Sequence, residues 1–328
     1  MTIKEVAEMA GVSPAAVSRY MNGGSISEEK SEKIREVIEK TGYRPNPMAQ
    51  TMRTGKGGQI GVIVPKLYSD SVSQIMDGIS DRLREKNFMT MLGVTEGKKE
   101  RELRYLTTMQ NSQVDGIILM GTTMSPLLRD AITGSGKPVV VTGQDFEGIP
   151  CVYHDDFNAV KDLTGRMIER GRKKLVFIGA TEEDEAAGRN RRRGCLAAWK
   201  EAGFNPERLR CAVSEFNSEG GARCMQELLA ADPDIDGVIC ATDRIALGAM
   251  QVIQKTGRKI PDDISIAGVG DSWADTLVTP NLTSVHLYFR QCGVTAADIL
   301  LRLIEDNTEG STVTQTKLEY TIVERGSI

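Results

Sequence analysis

Five residues near the start of the chain, Pro14, Ala15, Ser18, Arg19 and Asn22, recur at helical spacing along one side of SPAAVSRYMN. Their types suit the reading of base edges in a DNA major groove. A guanidinium such as that of Arg19 can donate two parallel hydrogen bonds to guanine, and the Ala15 methyl can touch thymine. Catalytic chemistry has far less to work with. The only histidines are His154 and His286, and the six cysteines (151, 195, 211, 224, 240 and 292) are scattered without a Cys-x-x-Cys pair. The cysteines read as small buried apolar residues. No His-rich metal site and no cofactor are expected. No carboxylate pair or nucleophile motif stands out, so an enzyme is not expected. The run TGKGGQ has the look of a phosphate loop, but Gln50 and Gly57 stand where its first glycine and its Ser/Thr are needed.

The elements that must hold the first set are short. Thr2 and Glu5 fit a capping box at a helix start. Ile3, Val6, Ala7 and Ala10 follow at helical spacing, and Gly11 stops the helix, since glycine turns there at least cost. Ser13 caps a second helix with Pro14 at its first position, and Ala16, Val17, Tyr20 and Met21 form its inner side. Two such helices joined by a glycine turn make a helix-turn-helix, whose second helix enters the major groove. A third helix runs from a Ser27 cap to Lys40, with Ile34 and Val37 inward, and Thr41-Gly42-Tyr43 closes it. Residues 1–57 carry nine Lys/Arg against seven Asp/Glu, while the whole chain has a net charge of −4. Charge alone would therefore not identify a nucleic-acid-binding unit. Asn46 then caps one more short helical run, with Pro47 first, which the glycines at 55, 57 and 58 end after barely two turns. A helix that short is marginal in water without partners.

From Gln59 the pattern alternates between apolar strand runs and helical periodicity. IGVIV, FMTMLGV, VDGIILM and KPVVVTG make one series; KLVFIGA, LRCAVSE, GVICAT and ISIAGVG make a second. The fold class is therefore α/β, an all-α N-terminal domain followed by two doubly wound parallel-sheet subdomains. Ligands of such sheets bind beyond the carboxyl ends of the strands. Residues at those ends are the binding candidates: Lys66, Ser69, Ser71, Thr122, Asp155, Phe216, Asp243 and Asp271. Asp155 and Asp243 are equally suited to capping the helices that follow them, and Lys66 to a place on the surface. No apolar run reaches the ~18 residues of a membrane span. The N-terminus lacks an apolar signal segment, and the cytoplasm is the expected compartment.

TIKEVAEMAGVSPAAVSRYMN, followed by SEEKSEKIREVIEKTGYRPNPMAQTMRTGKGGQIGVIVP, resembles the LacI/GalR family of bacterial transcriptional repressors. The resemblance implies a helix-turn-helix domain at 1–44, a hinge helix and linker at 45–58, and an effector-binding and dimerisation domain at 59–328, similar to periplasmic sugar-binding proteins. Within that last domain it implies an N-subdomain of 59–157 plus 289–328 and a C-subdomain of 158–288. Thr2, Ser13, Ser27 and the outward residues of the second helix become DNA-binding positions. So do Asn46, Ala49, Met52 and Arg53 of the hinge, which in the family folds as two copies meet in the minor groove of a palindromic operator. Coupling of folding to DNA accounts for a helix of marginal stability. Met52 stands where the family usually has the leucine wedge that opens a base step.

The resemblance further implies a homodimer controlled by a small carbohydrate, with Arg191 at the family's sugar-contacting arginine and Phe216 able to stack on a sugar. Gly270 departs from many sugar-binding members, which carry an acidic residue there. The runs VYHDD, CATDRIALGA and VGDSW resemble the trehalose-type repressors, which implies a sugar phosphate held by Lys66 and Arg191. A family regulator using a phosphocarrier protein partner, or a solute-binding protein, are the alternative readings. The tail beyond Asn307 has no leucine heptads, so a tetramerising coiled coil is not expected.

Overall fold

The computed structural model describes residues 1–21, 23–43, 57–121, 123–306 and 313–328. The chain divides into two compact units, Met1–Gly58 and Gln59–Ile328.

The first unit holds three helices, α1 (Ile3–Met9), α2 (Pro14–Met21) and α3 (Glu28–Thr41). Val6, Ala7, Ala10, Val17 and Ile34 form its core, and Val12, Tyr20, Val37 and Tyr43 pack around them. Alanines at 7 and 10 let α1 and α2 approach closely. Gly11 (φ 64°) makes the turn between them and Gly42 (φ 64°) ends α3. A side chain at either place would be forced into the left-handed region.

The second unit has two six-stranded sheets. The first orders its strands β11-β5-β4-β3-β1-β2, from β1 (Gln59–Val64), β2 (Met89–Val94), β3 (Gly116–Met120), β4 (Val139–Thr142), β5 (Cys151–His154) and β11 (Gln315–Leu318). The second orders its strands β12-β10-β9-β8-β6-β7. These are β6 (Leu175–Gly179), β7 (Arg210–Val213), β8 (Gly237–Cys240), β9 (Ser265–Val269), β10 (Thr283–Leu287) and β12 (Tyr320–Val323). Every pairing is parallel except that of β12 with β10. Central strands such as β3 and β6 are buried along their whole length, as expected where helices cover both faces of a parallel sheet. The edge strand β2 instead leaves Met89, Met91 and Leu92 exposed.

Helices α4 (Asp70–Glu85), α5 (Lys99–Gln110) and α6 (Pro126–Thr133) belong to the first half. The second half holds α7 (Asp156–Glu169), α8 (Arg191–Glu201), α9 (Ser218–Ala231) and α10 (Asp243–Lys255), and α11 (Phe289–Asp306) returns to pack on α4. Glycines allow backbone-to-backbone packing here. A Cβ on Gly78 of α4 would lie 2.1 Å from the Arg290 carbonyl oxygen of α11, and one on Gly194 of α8 would lie 2.2 Å from that of Phe157 in α7. Two orders of the form 2-1-3 place a switch point between β1 and β3 and another between β6 and β8, where crevices open at the strands' carboxyl ends.

One expected boundary is corrected. The final segment does not stay with the first subdomain. After β11 the chain crosses once more, and β12 pairs antiparallel with β10, Ser284 opposite Val323 and Leu287 opposite Tyr320. Ser327 is buried there, donating from Oγ to the Ile266 carbonyl at 2.6 Å and accepting from the Thr283 amide at 2.8 Å. Residues 320–328 thus complete the second sheet.

Candidate functional site

In the helix-turn-helix unit the capping box forms as the residue types require. The Thr2 amide donates to Glu5 Oε2 at 2.7 Å, and the Glu5 amide to Thr2 Oγ1 at 3.3 Å. Ser13 Oγ accepts from the Ala16 amide at 3.2 Å. Both caps direct the start of a helix and leave its face free. Ser13, Pro14, Ala15 and Arg19 are exposed and Ser18 half-buried, while Ala16 and Val17 are buried. Ser27 takes the cap position of α3 but its hydroxyl makes no capping bond. Asn22, and the hinge residues Asn46, Ala49, Met52 and Arg53, lie outside the described residues.

In the second unit, a cavity of about 190 Å³ opens at the carboxyl ends of the strands. Lys66, Ser69, Asp70 and Ser71 line it from the loop after β1 and the start of α4. Asp184 and Arg191 line it from the segment after β6, and Phe216 from the loop after β7. Thr242, Asp243 and Arg244 contribute from the start of α10, and Gly270 and Ser272 from beyond β9. A second cavity of about 440 Å³ shares Lys66, Tyr68, Asp184 and Phe216 with it and extends to Glu96, Lys99 and Glu183. The two halves also touch directly. Ser272 Oγ donates to Asp70 Oδ2 at 3.1 Å, Arg244 lies 3.6 Å from Asp70 Oδ1, and Lys99 pairs with Glu183 at 2.9 Å.

The charged groups divide into engaged and available ones. Arg191 is engaged. Its Nε donates to Asp156 Oδ1 at 2.7 Å and its Nη1 to the Ala241 carbonyl, and the residue is buried. Asp243 is engaged as well, accepting from the Ser272 amide at 3.0 Å and from Ser284 Oγ. Burial raises its carboxyl pKa. Asp184 accepts from the Ala187 amide at 2.8 Å and starts a π-helical segment, Glu185–Asn190, that leads into α8. Burial raises its pKa too, against the pull of that amide bond and of the Arg191 charge. Lys66 is available: its Nζ lies 5.0 Å from the centre of the Phe216 ring. Burial first, and then the neighbouring Arg244 charge, lower its ammonium pKa, while Asp184 opposes them.

Of the nine residues expected at the cleft, Lys66, Ser69, Ser71, Arg191, Phe216 and Asp243 line the cavity, and Thr122 lies outside the described residues. Two are placed elsewhere. Asp155 caps α7, accepting from the Asn158 amide at 3.3 Å, and pairs with Lys317 at 2.9 Å. Asp271, at φ 52°, faces His286 Nδ1 at 2.9 Å and bonds Arg325. In each case a partner distant in sequence draws the carboxylate away. Asp70, Asp184, Arg244 and Ser272 line the cavity without having been expected there, and Asp156 stands behind it, paired with Arg191. For Asp156 the signal was the doubled aspartate in HDDF, where a single residue suffices for a cap. Among the described residues, no three His, Cys, Asp or Glu side chains converge so as to hold a metal ion.

Comparison with known proteins joins the two units. Residues 2–46 match the family described as bacterial regulatory proteins, lacI family. Residues 57–324 match periplasmic binding proteins and sugar binding domain of LacI family. A sucrose operon repressor of Staphylococcus xylosus is 30% identical over 306 residues, 92% of this chain and 93% of its own. The structure of a transcriptional regulator CelR–cellobiose complex is 26% identical, with a TM-score of 0.76 over 100% of this chain and 99% of that one. The lac repressor dimer bound to operator and the anti-inducer ONPF, at 21% identity, has the same fold, with a TM-score of 0.89 over 100% of this chain and 98% of that one. With both units matched and a relative of this identity spanning nearly its whole length, the chain belongs to the LacI family of DNA-binding transcriptional regulators and is not an enzyme.

Proposed function

We propose that the chain represses a carbohydrate-utilisation operon as a cytoplasmic homodimer, binding a palindromic operator under the control of a carbohydrate in the cleft of its second unit. The observation that carries this reading is the joining, in one chain, of an outward recognition face on α2 to a cleft at two sheet switch points. The sucrose and cellobiose in the names of two similar proteins support an effector of disaccharide size. So do the cavities: the smaller falls below the ~300 Å³ of a typical ligand site, whereas the two together fall within the usual range. Phe216 offers a ring face to a sugar. Ser69 and Ser71, whose hydroxyls lie 3.0 Å apart, offer hydrogen bonds. Exposed Met89, Met91 and Leu92 on the open edge of the first sheet suit burial against a second copy.

Control needs no more than a difference in affinity. An effector that binds one closure of the subdomains more tightly than the other shifts the population by that difference alone. Selection of operator fragments from a pool of random duplexes, followed by competition with neutral and phosphorylated disaccharides, tests the reading. Enrichment of an inverted repeat whose binding changes with one sugar class is expected. Failure to enrich any sequence, or binding indifferent to every sugar, would sink it.

A further inference from the structure

We propose that Asp275, which does not itself line the cavity, is a positioning residue of the cleft. While it holds a proton, the loop Gly270–Ser272 stays seated and Ser272 reaches Asp70 across the cleft; when the proton leaves, that contact is released. The inference goes beyond the carbohydrate reading and does not depend on which ligand the cleft takes.

The chain runs from β9 into the cleft and out again within a few residues. Gly270 and Ser272 line the cavity, and Asp275 follows on a single tight turn of helix, Trp273–Thr276. The Asp275 amide donates to the Ser272 carbonyl at 3.0 Å, which couples their movement. Ser272 in turn holds two carboxylates. Its amide donates to Asp243 Oδ2 at 3.0 Å, and its hydroxyl to Asp70 Oδ2, in the opposite subdomain, at 3.1 Å. Two glycines make room for the Asp243 carboxyl. A Cβ on Gly268 would lie 2.3 Å from its Oδ1, and one on Gly270 would lie 2.7 Å from its Oδ2.

Asp275 is fully buried, and among the described residues neither of its carboxyl oxygens has a hydrogen-bond partner. Charged groups face it from several elements. Arg325, of the C-terminal segment, stands 3.8 Å from Oδ2 but already bonds Asp271 and the Leu282 carbonyl. Asp243 of α10 and Asp271 beyond β9 are acids that act on it through space, and Asp271 also faces His286 of β10. Beyond Ser272 stand Asp70 of α4 and, 3.6 Å from it, Arg244. A carboxylate at 275 is therefore short of donors and shares its one nearby guanidinium. Burial first, and then the Asp243 charge, raise its pKa far above the 3.8 of an ordinary aspartate, against the pull of Arg325. The folded state thus keeps a proton that the unfolded chain has released, and what this contributes is lost as pH rises through the folded value. Loss of the proton sets a second negative charge beside Asp243. Movement of the turn toward water relieves the repulsion, and Ser272 leaves Asp70 with it.

The test uses the full chain with Trp199→Phe, which leaves Trp273 as the only indole. Trp273 adjoins Ser272 and is 72% exposed, so its emission reports on this turn. Emission is followed as pH is raised from about 5 to about 9, a range in which an ordinary aspartate stays ionised. Circular dichroism confirms that each variant folds. One reversible sigmoidal change is expected. In Asp275→Asn, which has no proton to lose, it should vanish. In Asp243→Asn it should move to lower pH, because the like charge beside Asp275 is gone; this variant decides the matter if Asp275→Asn does not fold. His286→Gln should keep the change. Asp70→Ala should show, already at low pH, the emission that its parent reaches at high pH. Absence of any change in the parent, its persistence in Asp275→Asn, an unmoved midpoint in Asp243→Asn, or its loss in His286→Gln would overturn the proposal. A change of full size in Asp70→Ala would overturn it as well, since the proton would then act on something other than the contact across the cleft.

Discussion

Arg191 and Asp156 form an ion pair at 2.7 Å with side chains only 8% and 5% exposed, and so join the start of α8 to the start of α7 beneath the cleft. Taking away one partner leaves the other charged, buried and unpaired. Arg191→Ala is expected to cost about 3–5 kcal/mol, whereas replacing both partners by apolar residues of similar volume is far milder. Urea unfolding of Arg191→Ala beside the double variant Arg191→Met/Asp156→Leu checks this. If the double variant is the less stable, the pair does not work as described.

Glu102 makes the stability of the first subdomain depend on pH. It sits on α5 at 7% exposure, and burial raises its pKa to about 7 despite the opposing charge of Lys99. The folded state therefore holds a proton that the unfolded chain, with a carboxyl near 4.5, has released. Stability from this group is complete below the unfolded pKa and is lost as pH rises through the folded one. The total is about 3 kcal/mol, because each pH unit separating the folded and unfolded pKa is worth ~1.4 kcal/mol. Glu102→Gln should flatten the profile between pH 5 and 8 and exceed the wild type at the upper end. Denaturant midpoints at those two pH values give the answer, and parallel profiles would disprove the assignment.

Much of this architecture was legible because its signals are local. Capping at Thr2 and Ser13, the Gly11 turn and the apolar strand runs depend on neighbours within a few residues. The alternation of strand and helix leaves little freedom in how such sheets are wound. What sequence could not show depends on pairing across long separations. YTIV reads as a strand, but nothing within it says that β10 and not β5 is its neighbour. Arg191 reads as a ligand-facing cation because its partner Asp156 lies 35 residues away. Asp155 and Asp156 are alike in type, and only the turn of α7 sends one to a cap and the other to the arginine. Arg244 was hidden for a different reason: an arginine in the first turn of an amphipathic helix is ordinarily a solvated one.

Gly194 and Gly165 provide a matched comparison on the same helix pair. A Cβ at Gly194 would meet the Phe157 carbonyl oxygen at 2.2 Å and the Lys161 nitrogen at 3.0 Å, so α7 and α8 would have to separate. One turn away, Arg191 would move with α8. Gly194→Ala is expected to destabilise by about 1–3 kcal/mol or more, as overpacking does. Gly165, inside α7, has nothing within 4 Å of its built Cβ. Gly165→Ala should be stabilising by about 0.5–1 kcal/mol, because alanine restricts the unfolded chain and suits a helix. Thermal unfolding of the two variants should move in opposite directions, and equal losses would show that close packing at Gly194 is not the cause.

Arg19 and Thr2 separate recognition from the fold that presents it. Arg19 is exposed on the outward side of α2, away from the buried Ala16 and Val17, and its truncation removes no core contact. Thr2 is exposed as well, but its hydroxyl caps α1. Arg19→Ala should leave the melting of the first unit nearly unchanged. Its cost for a selected operator should be about 1–3 kcal/mol, the worth of a good bidentate base contact, with a much smaller loss on random DNA. Thr2→Ala should instead lower helix stability by about 1 kcal/mol and weaken both DNAs alike, since fewer molecules would present α2 correctly. Fluorescence anisotropy with both duplexes, at one fixed salt concentration, distinguishes the two. An equal loss on operator and random DNA for Arg19→Ala would make Arg19 a phosphate contact and move base reading to Ser18 and Ala15.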